Sequence, residues 1–311
     1  MTQPTPSDRH CNALGIDVGG TKIEAVLLNP QGQALWRQRV PSPSHDYAAM
    51  LEAIAARVDA AQAAVPGPMS VGLGTPGSST PEGLMKNANT VCLNGRPLAR
   101  DLAQRLGRPV RLANDANCLA LSEAVDGAGA GAGVVFAAIL GTGTGAGIAI
   151  DARVLTGPNH LAGEWGHNPL PWREATDPWP DCYCGQQGCI ETLLSGPGLA
   201  AEHKARTGRS LSAAQIALAA AQGNSACIAT LERWHHRLAR ALAHVINLLD
   251  PDVIVLGGGL SRVASTYEAV PTLWGRWVFS GGLKDPVRTA LRPSVHGDAS
   301  GVRGAAWLWR P

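Results

Sequence analysis

The sequence predicts an α/β protein of two lobes that face each other across a cleft, and three observations carry that prediction. Strand-like and helix-like segments alternate along the chain, as α/β architectures require. An apolar strand that runs into a glycine-rich turn and returns as a strand occurs twice, once from residue 13 and again from residue 134. The length of 311 residues is enough to bury two cores rather than one.

The elements follow in order. Residues 13–40 read as strand, glycine turn, strand, turn, strand: ALGID, VGGTK, IEAVLLN, PQGQ and ALWRQRV. The stretch DYAAMLEAIAARVDAAQAA has helical apolar spacing, with His45 or Asp46 placed to cap its start. MSVGLGTPG reads as a buried strand entering a loop, and RPVRLANDANCLALSEAVDG as a strand that ends at Asn114 and Asp115, where a helix begins. VVFAAIL, GTGTGAG and IAID repeat the opening hairpin. Further on, Leu231, Trp234, Leu238, Leu242, Val245 and Leu249 recur at steps of three and four, the stripe of an amphipathic helix. That helix stops at Asp250 and Pro251, and VIVL then forms a short strand ending in Gly257, Gly258 and Gly259. The final ASGVRGAAWLWR reads as a helix that packs back on the first lobe. The lobes are expected to span residues 1–117 with the terminal helix at about 298–311, and residues 118–297.

Composition excludes several classes of partner. A formal net charge of +2, with 16% charged residues, supplies no field for a nucleic-acid backbone or an anionic membrane. No stretch approaches the ~20 apolar residues needed to span a bilayer, and MTQPTPSDRH lacks the apolar core of a leader, so a cytoplasmic protein is expected. Cys11, Cys92, Cys118 and Cys227 are scattered singly, which suits packing in a reducing compartment better than a disulfide framework.

The other three cysteines are different. GEWGHN and CYCGQQGCIE bring His167, Cys182, Cys184 and Cys189 together, flanked by Glu164 and Glu191. Three thiolates and one imidazole fill the tetrahedron of a structural zinc with no position left for water. Gly185 and Gly188 sit where a chain wrapping an ion needs permissive dihedrals. The bland alternative is three packed thiols and an unrelated histidine. Glu164 and Glu191 then serve either as partners of the metal ligands or as acceptors for paired sugar hydroxyls, and His167 has one ring nitrogen for each task.

Three glycine loops at strand ends complete the pattern. DVGGTK sets an acid, two glycines, a hydroxyl and an ammonium in one turn, as an anion-binding nest or as an ordinary hairpin turn. GTGTGAG matches the letters of a dinucleotide fingerprint, but its continuation reads as a strand rather than a helix, so a Rossmann site fits poorly. GGGLS leaves open backbone for a flat base such as adenine, or makes a tight turn. Jointly they point to a nucleotide held across two lobes. Asp115, at a strand's carboxyl end and a helix's start, is the candidate base for moving a phosphoryl group onto an alcohol; an N-cap is its alternative role.

These motifs, with GLGTPG, LANDAN and AGEWGHN, occur in an order that resembles the ROK family of sugar kinases and repressors, of the actin-like, hexokinase-like (ribonuclease H-like) ATPase fold. KNANTVCLNGRPL, GEWGHNPLPW and HGDASGVRGAAWLW resemble its bacterial fructokinase branch. The resemblance implies ATP, Mg²⁺ and Zn²⁺ as cofactors and D-fructose, or mannose as well, as the substrate phosphorylated at its 6-hydroxyl. Glucose or an N-acetylated amino sugar is the alternative. It implies Asp115 as catalytic base and a sugar ringed by Asn114, Asp115, Glu164, His167 and Glu191, with Gly74 in the facing loop. Asp17, Gly19, Gly20, Thr21 and Lys22 would form the first phosphate loop, and Gly141, Thr142, Gly143 and Thr144 the second. Gly257, Gly258 and Gly259 would lie near adenosine, and His167, Cys182, Cys184 and Cys189 would hold zinc. A repressor is disfavoured, since only sixteen residues precede Asp17. A monomer and a homodimer both fit. The fourteen residues between His167 and Cys182, rich in Pro and Trp, depart from many members, with no role legible in sequence.

Overall fold

The computed structural model describes residues 11–310. Its first sheet is built from β1 (Asn12–Val18), β2 (Lys22–Leu28) and β3 (Ala34–Pro41), an antiparallel meander, joined in parallel by β4 (Met69–Thr75) and β7 (Arg111–Asn114). Between these last two strands lies a small hairpin of β5 (Ser78–Ser79) and β6 (Met85–Lys86). The second sheet repeats the plan: β8 (Val134–Leu140), β9 (Thr144–Ile150) and β10 (Arg153–Val154) run antiparallel, and β11 (Val253–Gly257) and β12 (Ala290–Pro293) add in parallel. The strand orders, β3-β2-β1-β4-β7 and β10-β9-β8-β11-β12, are the same order twice. The weak repeat of two glycine hairpins is thus the visible part of a repeat that covers two whole sheets.

Helices cover both faces. α1 (Tyr47–Ala64) and α2 (Leu98–Leu106) close the outer face of the first sheet with Met50, Ile54, Val58, Leu98 and Leu102. Asp46 caps α1 by accepting from the amides of Ala48 and Ala49, so it takes the role for which His45 was the other candidate. After α3 (Asp115–Asp126) the second lobe adds α4 (Ile190–Leu194), α5 (Gly196–Thr207), α6 (Ala213–Ala221), α7 (Ser225–Leu249) and α8 (Thr266–Trp274), and the chain returns through α9 (Ser300–Trp307). Trp234, Leu238 and Leu242 of α7 are buried against Phe136, Leu140 and Leu256 of the second sheet. The predicted stripe therefore does face a core.

The middle layer positions the site. α3 leaves the first sheet but packs on the second, through Leu119, Ala120 and Ala124 against Val135, Ala137 and Val255. α9 leaves the second sheet and packs on the first, where Val302, Ala306 and Trp307 meet Ala13, Val26 and Leu28. The exchange depends on missing side chains. A Cβ at Gly15 or Gly72 would lie 2.0 Å from the carbonyl oxygens of Val302 and Ala305, and one at Gly304 would lie 1.7 Å from that of Cys118. Sheet, α9, α3 and sheet are thus stacked at backbone contact. No helix among the described residues is long and apolar enough to cross a membrane.

Candidate active site

Asp17 is the penultimate residue of β1, Gly257 ends β11, and the first turns of α3 and α9 come to the same crevice at the carboxyl ends of the strands. Crevices of α/β sheets bind ligands at such ends. Two cavities occupy it. One, of about 290 Å³, is lined by Asp17, Gly19, Gly20, Gly257 and Gly258, with Gly297, Asp298, Ser300 and Gly301 from the start of α9. The other, of about 630 Å³, is lined by Asn114, Gly143, Thr144, Glu164, His167 and Glu191, with Asn87 and Asn89 opposite. Asp115 lines both.

The local geometry explains why Asp115 rather than its neighbour is presented there. Asn114 is the N-cap: its Oδ1 accepts from the Ala116 amide at 2.8 Å, and its Nδ2 donates to the Gly77 carbonyl at 2.9 Å. One lone pair and one N–H of Asn114 are left for a ligand. Asp115, the first helical residue, is relieved of the capping role for which it was also a candidate. Its Oδ1 accepts from the Ala116 amide at 2.8 Å.

Charge crowds this junction. Asp115 is open to the cleft but surrounded by protein at its floor, and that burial, with the nearby Glu164 carboxylate, raises its pKa. Burial, Asp115 and Glu24 push Asp17 up to about 6. The two acids share a corner with no lysine or arginine among the cavities' lining residues. Lys22, predicted in the first phosphate loop, instead pairs with Glu24 at 3.7 Å and lines neither cavity, and neither does Thr21.

The glycine loops divide between the cavities. DVGGTK closes as a hairpin turn, with the Gly19 amide donating to the Lys22 carbonyl at 2.9 Å. Gly19 and Gly20 have no positive φ, so the turn uses their missing side chains rather than their conformational freedom. In the second loop β9 begins inside the glycine run, at Thr144, which excludes a helix-opening dinucleotide fingerprint. Gly143 and Thr144 line the larger cavity, whereas Gly141 and Thr142 line neither. Glu191 explains this: its Oε2 accepts from the Thr144 amide at 2.8 Å, and a Cβ on Gly143 would lie 2.7 Å from that same oxygen. In the third loop Gly258, at φ 80°, presses on Leu140, and Gly259 starts a 3-10 turn outside the cavity. Gly74 is buried in β4 beside Cys118 and Asp17, and on that side Pro76 and Gly77 form the wall.

The match to the ROK family covers residues 13–311. The chain belongs to the ROK family. It is 39% identical over 302 residues to the N-acetyl-D-glucosamine kinase of Salmonella newport (strain SL254), across 94% of this chain and 98% of that one. The ROK hexokinase from Thermus thermophilus is similar at a TM-score of 0.82 and 30% identity, over 96% of this chain and 97% of its own. The ROK family glucokinase from Streptomyces griseus, solved in complex with glucose and AMPPNP, is similar at 0.73 and 27%, over 96% and 98%. The hexokinase-like fold is thereby established.

In this ROK chain two edges of the His/Cys cluster have the length of a zinc tetrahedron's edge. The ligand atoms of His167, Cys182, Cys184 and Cys189 all lie within 4.8 Å of one another. Cys182 Sγ is 3.6 Å from His167 Nδ1, and Cys184 Sγ is 3.6 Å from Cys189 Sγ. Bonds of about 2.3 Å to sulfur and about 2.1 Å to nitrogen give tetrahedral edges of roughly 3.5 to 3.8 Å. Gly185 and Gly188 have φ of 88° and 66°, the left-handed turns that the wrapping demands. With Nδ1 toward the thiols, His167 turns Nε2 to the cavity side, 3.0 Å from the Tyr183 hydroxyl.

The insert between His167 and Cys182 braces this cluster. Its buried Asp177 accepts from Arg237 Nε at 2.8 Å and from Arg240 Nη1 and Nη2 at 2.7 and 2.9 Å, all from α7. Those guanidinium groups hold the Asp177 carboxyl down at about 2 against the opposing effect of burial, which is the largest single influence on it. Trp172 stacks on Trp277 with centroids 5.5 Å apart, and the Trp179 ring covers Gly188. Sequence reasoning missed Tyr183, Asn87, Asn89 and the α9 start. Asn87 and Asn89 left a trace as the two asparagines of the run KNAN, and Asn87 sits there at φ 58°, a region asparagine tolerates.

Proposed function

We propose that the protein is an ATP-dependent hexose kinase whose acceptor is the 6-hydroxyl of an N-acetylated amino sugar, N-acetyl-D-glucosamine. Family membership supports the kinase activity, and the single observation that carries the mechanism is Asp115, the carboxylate common to both cavities. A sugar in the larger cavity and the triphosphate end of ATP in the smaller one meet at its Oδ2. That oxygen takes the hydroxyl proton as the sugar oxygen bonds to the γ-phosphorus and the bond to ADP breaks. Phosphoryl transfer asks the protein for alignment and charge control rather than covalent work. Asp17 and Asp298, both lining the nucleotide cavity, would face the Mg²⁺ of Mg-ATP, which neutralises charge on the transferring group. Zinc at the His/Cys cluster would be structural, fixing His167 at the sugar wall.

Fructose, suggested by short stretches of sequence, gains no support from the N-acetyl-D-glucosamine kinase that matches nearly the whole chain. The larger cavity supports the amino sugar physically, because the small side chains of Gly145, Ala146 and Gly163 leave room beside the polar ring of Glu164, His167 and Glu191. A coupled assay with Mg-ATP and N-acetyl-D-glucosamine, glucose, mannose and fructose tests the proposal. The highest specificity constant is expected for N-acetyl-D-glucosamine; a preference for fructose would overturn the acceptor, and no turnover of any of the four would overturn the function.

A further inference from the structure

Tyr183 has its chain neighbours in one structure and its side chain in another: Cys182 and Cys184 belong to the His/Cys cluster, while Tyr183 lines the larger cavity. Tyrosine ordinarily buries its ring and leaves its hydroxyl wet. Here the residue is 82% exposed, and the hydroxyl is the part that is held, 3.0 Å from His167 Nε2. The two rings meet edge to face, with centroids 5.1 Å apart and planes at 88°. The hydroxyl thus occupies the histidine nitrogen that faces the sugar.

The chemistry of a hexose says which part of it would meet this phenol. Asp115 lines the nucleotide cavity as well as the larger one, and Tyr183 lines only the larger. A pyranose with its 6-hydroxyl at Asp115 therefore extends away from the nucleotide, toward His167 and Tyr183. Within a pyranose ring the atom opposite C5, which carries C6, is C2. The substituent on C2 is also what separates an N-acetylated amino sugar from glucose.

We propose that Tyr183 is the specificity-determining residue for that C2 substituent, an inference that rests on the amino-sugar kinase function proposed above. The ring forms an apolar wall for the acetyl methyl, and the hydroxyl leaves His167 Nε2 to donate to the acetyl carbonyl oxygen. A phenol is both donor and acceptor, so either partner suits it. Because the hydroxyl falls back on His167 when no acetyl group is present, the discrimination is tens of fold rather than the far larger ratio a stranded polar group would give.

The test compares wild type, Tyr183→Phe and Tyr183→Ala, each zinc-replete and with Mg-ATP. It reads the ratio of specificity constants for N-acetyl-D-glucosamine and glucose, and the ratio of their dissociation constants by calorimetry. The ratio is expected to fall about fivefold in the Phe variant, the worth of one hydrogen bond, and about fiftyfold in the Ala variant. The change should lie in the KM for the amino sugar, with the KM for ATP as internal control. A merely structural Tyr183 would weaken both sugars together and leave the ratio alone. An unchanged ratio in Tyr183→Phe overturns the proposal even if Tyr183→Ala fails to fold. If wild type prefers glucose or fructose, the acceptor assignment fails, while the binding ratio still decides the role of Tyr183.

Discussion

Ser79 Oγ lies 3.2 Å from His160 Nδ1, a contact that joins the β5–β6 hairpin of the first lobe to the loop after β10 in the second. A second bridge runs beside it, from Lys86 Nζ to the Asn159 carbonyl at 3.1 Å. Lys86 adjoins Asn87, and the segment of Asn159 and His160 leads into Gly163; Asn87 and Gly163 both line the larger cavity. Removing them together, with Ser79→Ala and Lys86→Ala, is expected to raise the sugar KM roughly three- to tenfold, since each exposed bond contributes about 0.5 kcal/mol or more. The kcat should change less. Steady-state kinetics check this, and an unaltered KM would show that the bridges do not hold the lobes together over the sugar.

Asp115→Asn keeps an oxygen for the Ala116 amide and so should fold and bind sugar, but it offers no base. Turnover is expected to drop by about 10²- to 10⁴-fold, the range general-base catalysis supplies. In wild type the raised pKa of Asp115 in the ligand-free protein means that kcat/KM declines on acidification at a higher pH than an ordinary carboxylate would impose. A pH–rate profile of wild type and variant reads both effects.

Asp17 links stability to pH with a definite sign. Between 3.8 and about 6 the unfolded chain has lost this proton while the folded chain keeps it, so stability falls as pH rises through that window and stays lowered above it. Asp17→Asn removes the charge and should stabilise the nucleotide-free protein at neutral pH by an amount on the order of 2 kcal/mol. The same change should abolish activity if Asp17 faces Mg-ATP. Denaturant titrations at acid and neutral pH give the comparison; a variant no more stable than wild type at neutral pH would contradict it.

Chelation, or Cys184→Ser, is expected to lower the melting temperature and raise the sugar KM together, because a structural metal's binding energy is also folding energy. Elemental analysis should find one zinc per chain in the wild type. A metal-free preparation with unchanged melting and kinetics would remove zinc from the account.

Asp177→Ala leaves Arg240 buried with the Trp172 carbonyl as its remaining hydrogen-bond acceptor and strips Arg237 back to Glu202. Breaking such a buried pair from one side costs about 3–5 kcal/mol, and the insert should detach from α7. Asp177→Asn, which keeps the shape, should lose less. Denaturant unfolding checks the order, and limited proteolysis within residues 168–181 checks the detachment.

Much of the candidate site was legible in the sequence where the signal is local. The close spacing of Cys182, Cys184 and Cys189, the twin glycine hairpins, the stripe on α7 and the strand-to-helix junction at Asp115 depend on neighbours within a few positions. Which sugar is accepted was not legible, since short motifs do not record the few pocket contacts that separate one hexose from another.

The sequence alone pointed to the α/β class, the candidate base and the candidate metal ligands, because periodicity and spacing are properties of the chain itself, and its ordered motifs pointed to the family. Only the tertiary structure decided that α3 and α9 change sheets, that Asn114 rather than Asp115 caps α3, and that Gly143 and Thr144 turn to the larger cavity. It alone brought Tyr183 to His167 and Asp177 to Arg240. Those outcomes rest on contacts between residues far apart along the chain or on the direction a side chain takes, and backbone pattern encodes neither.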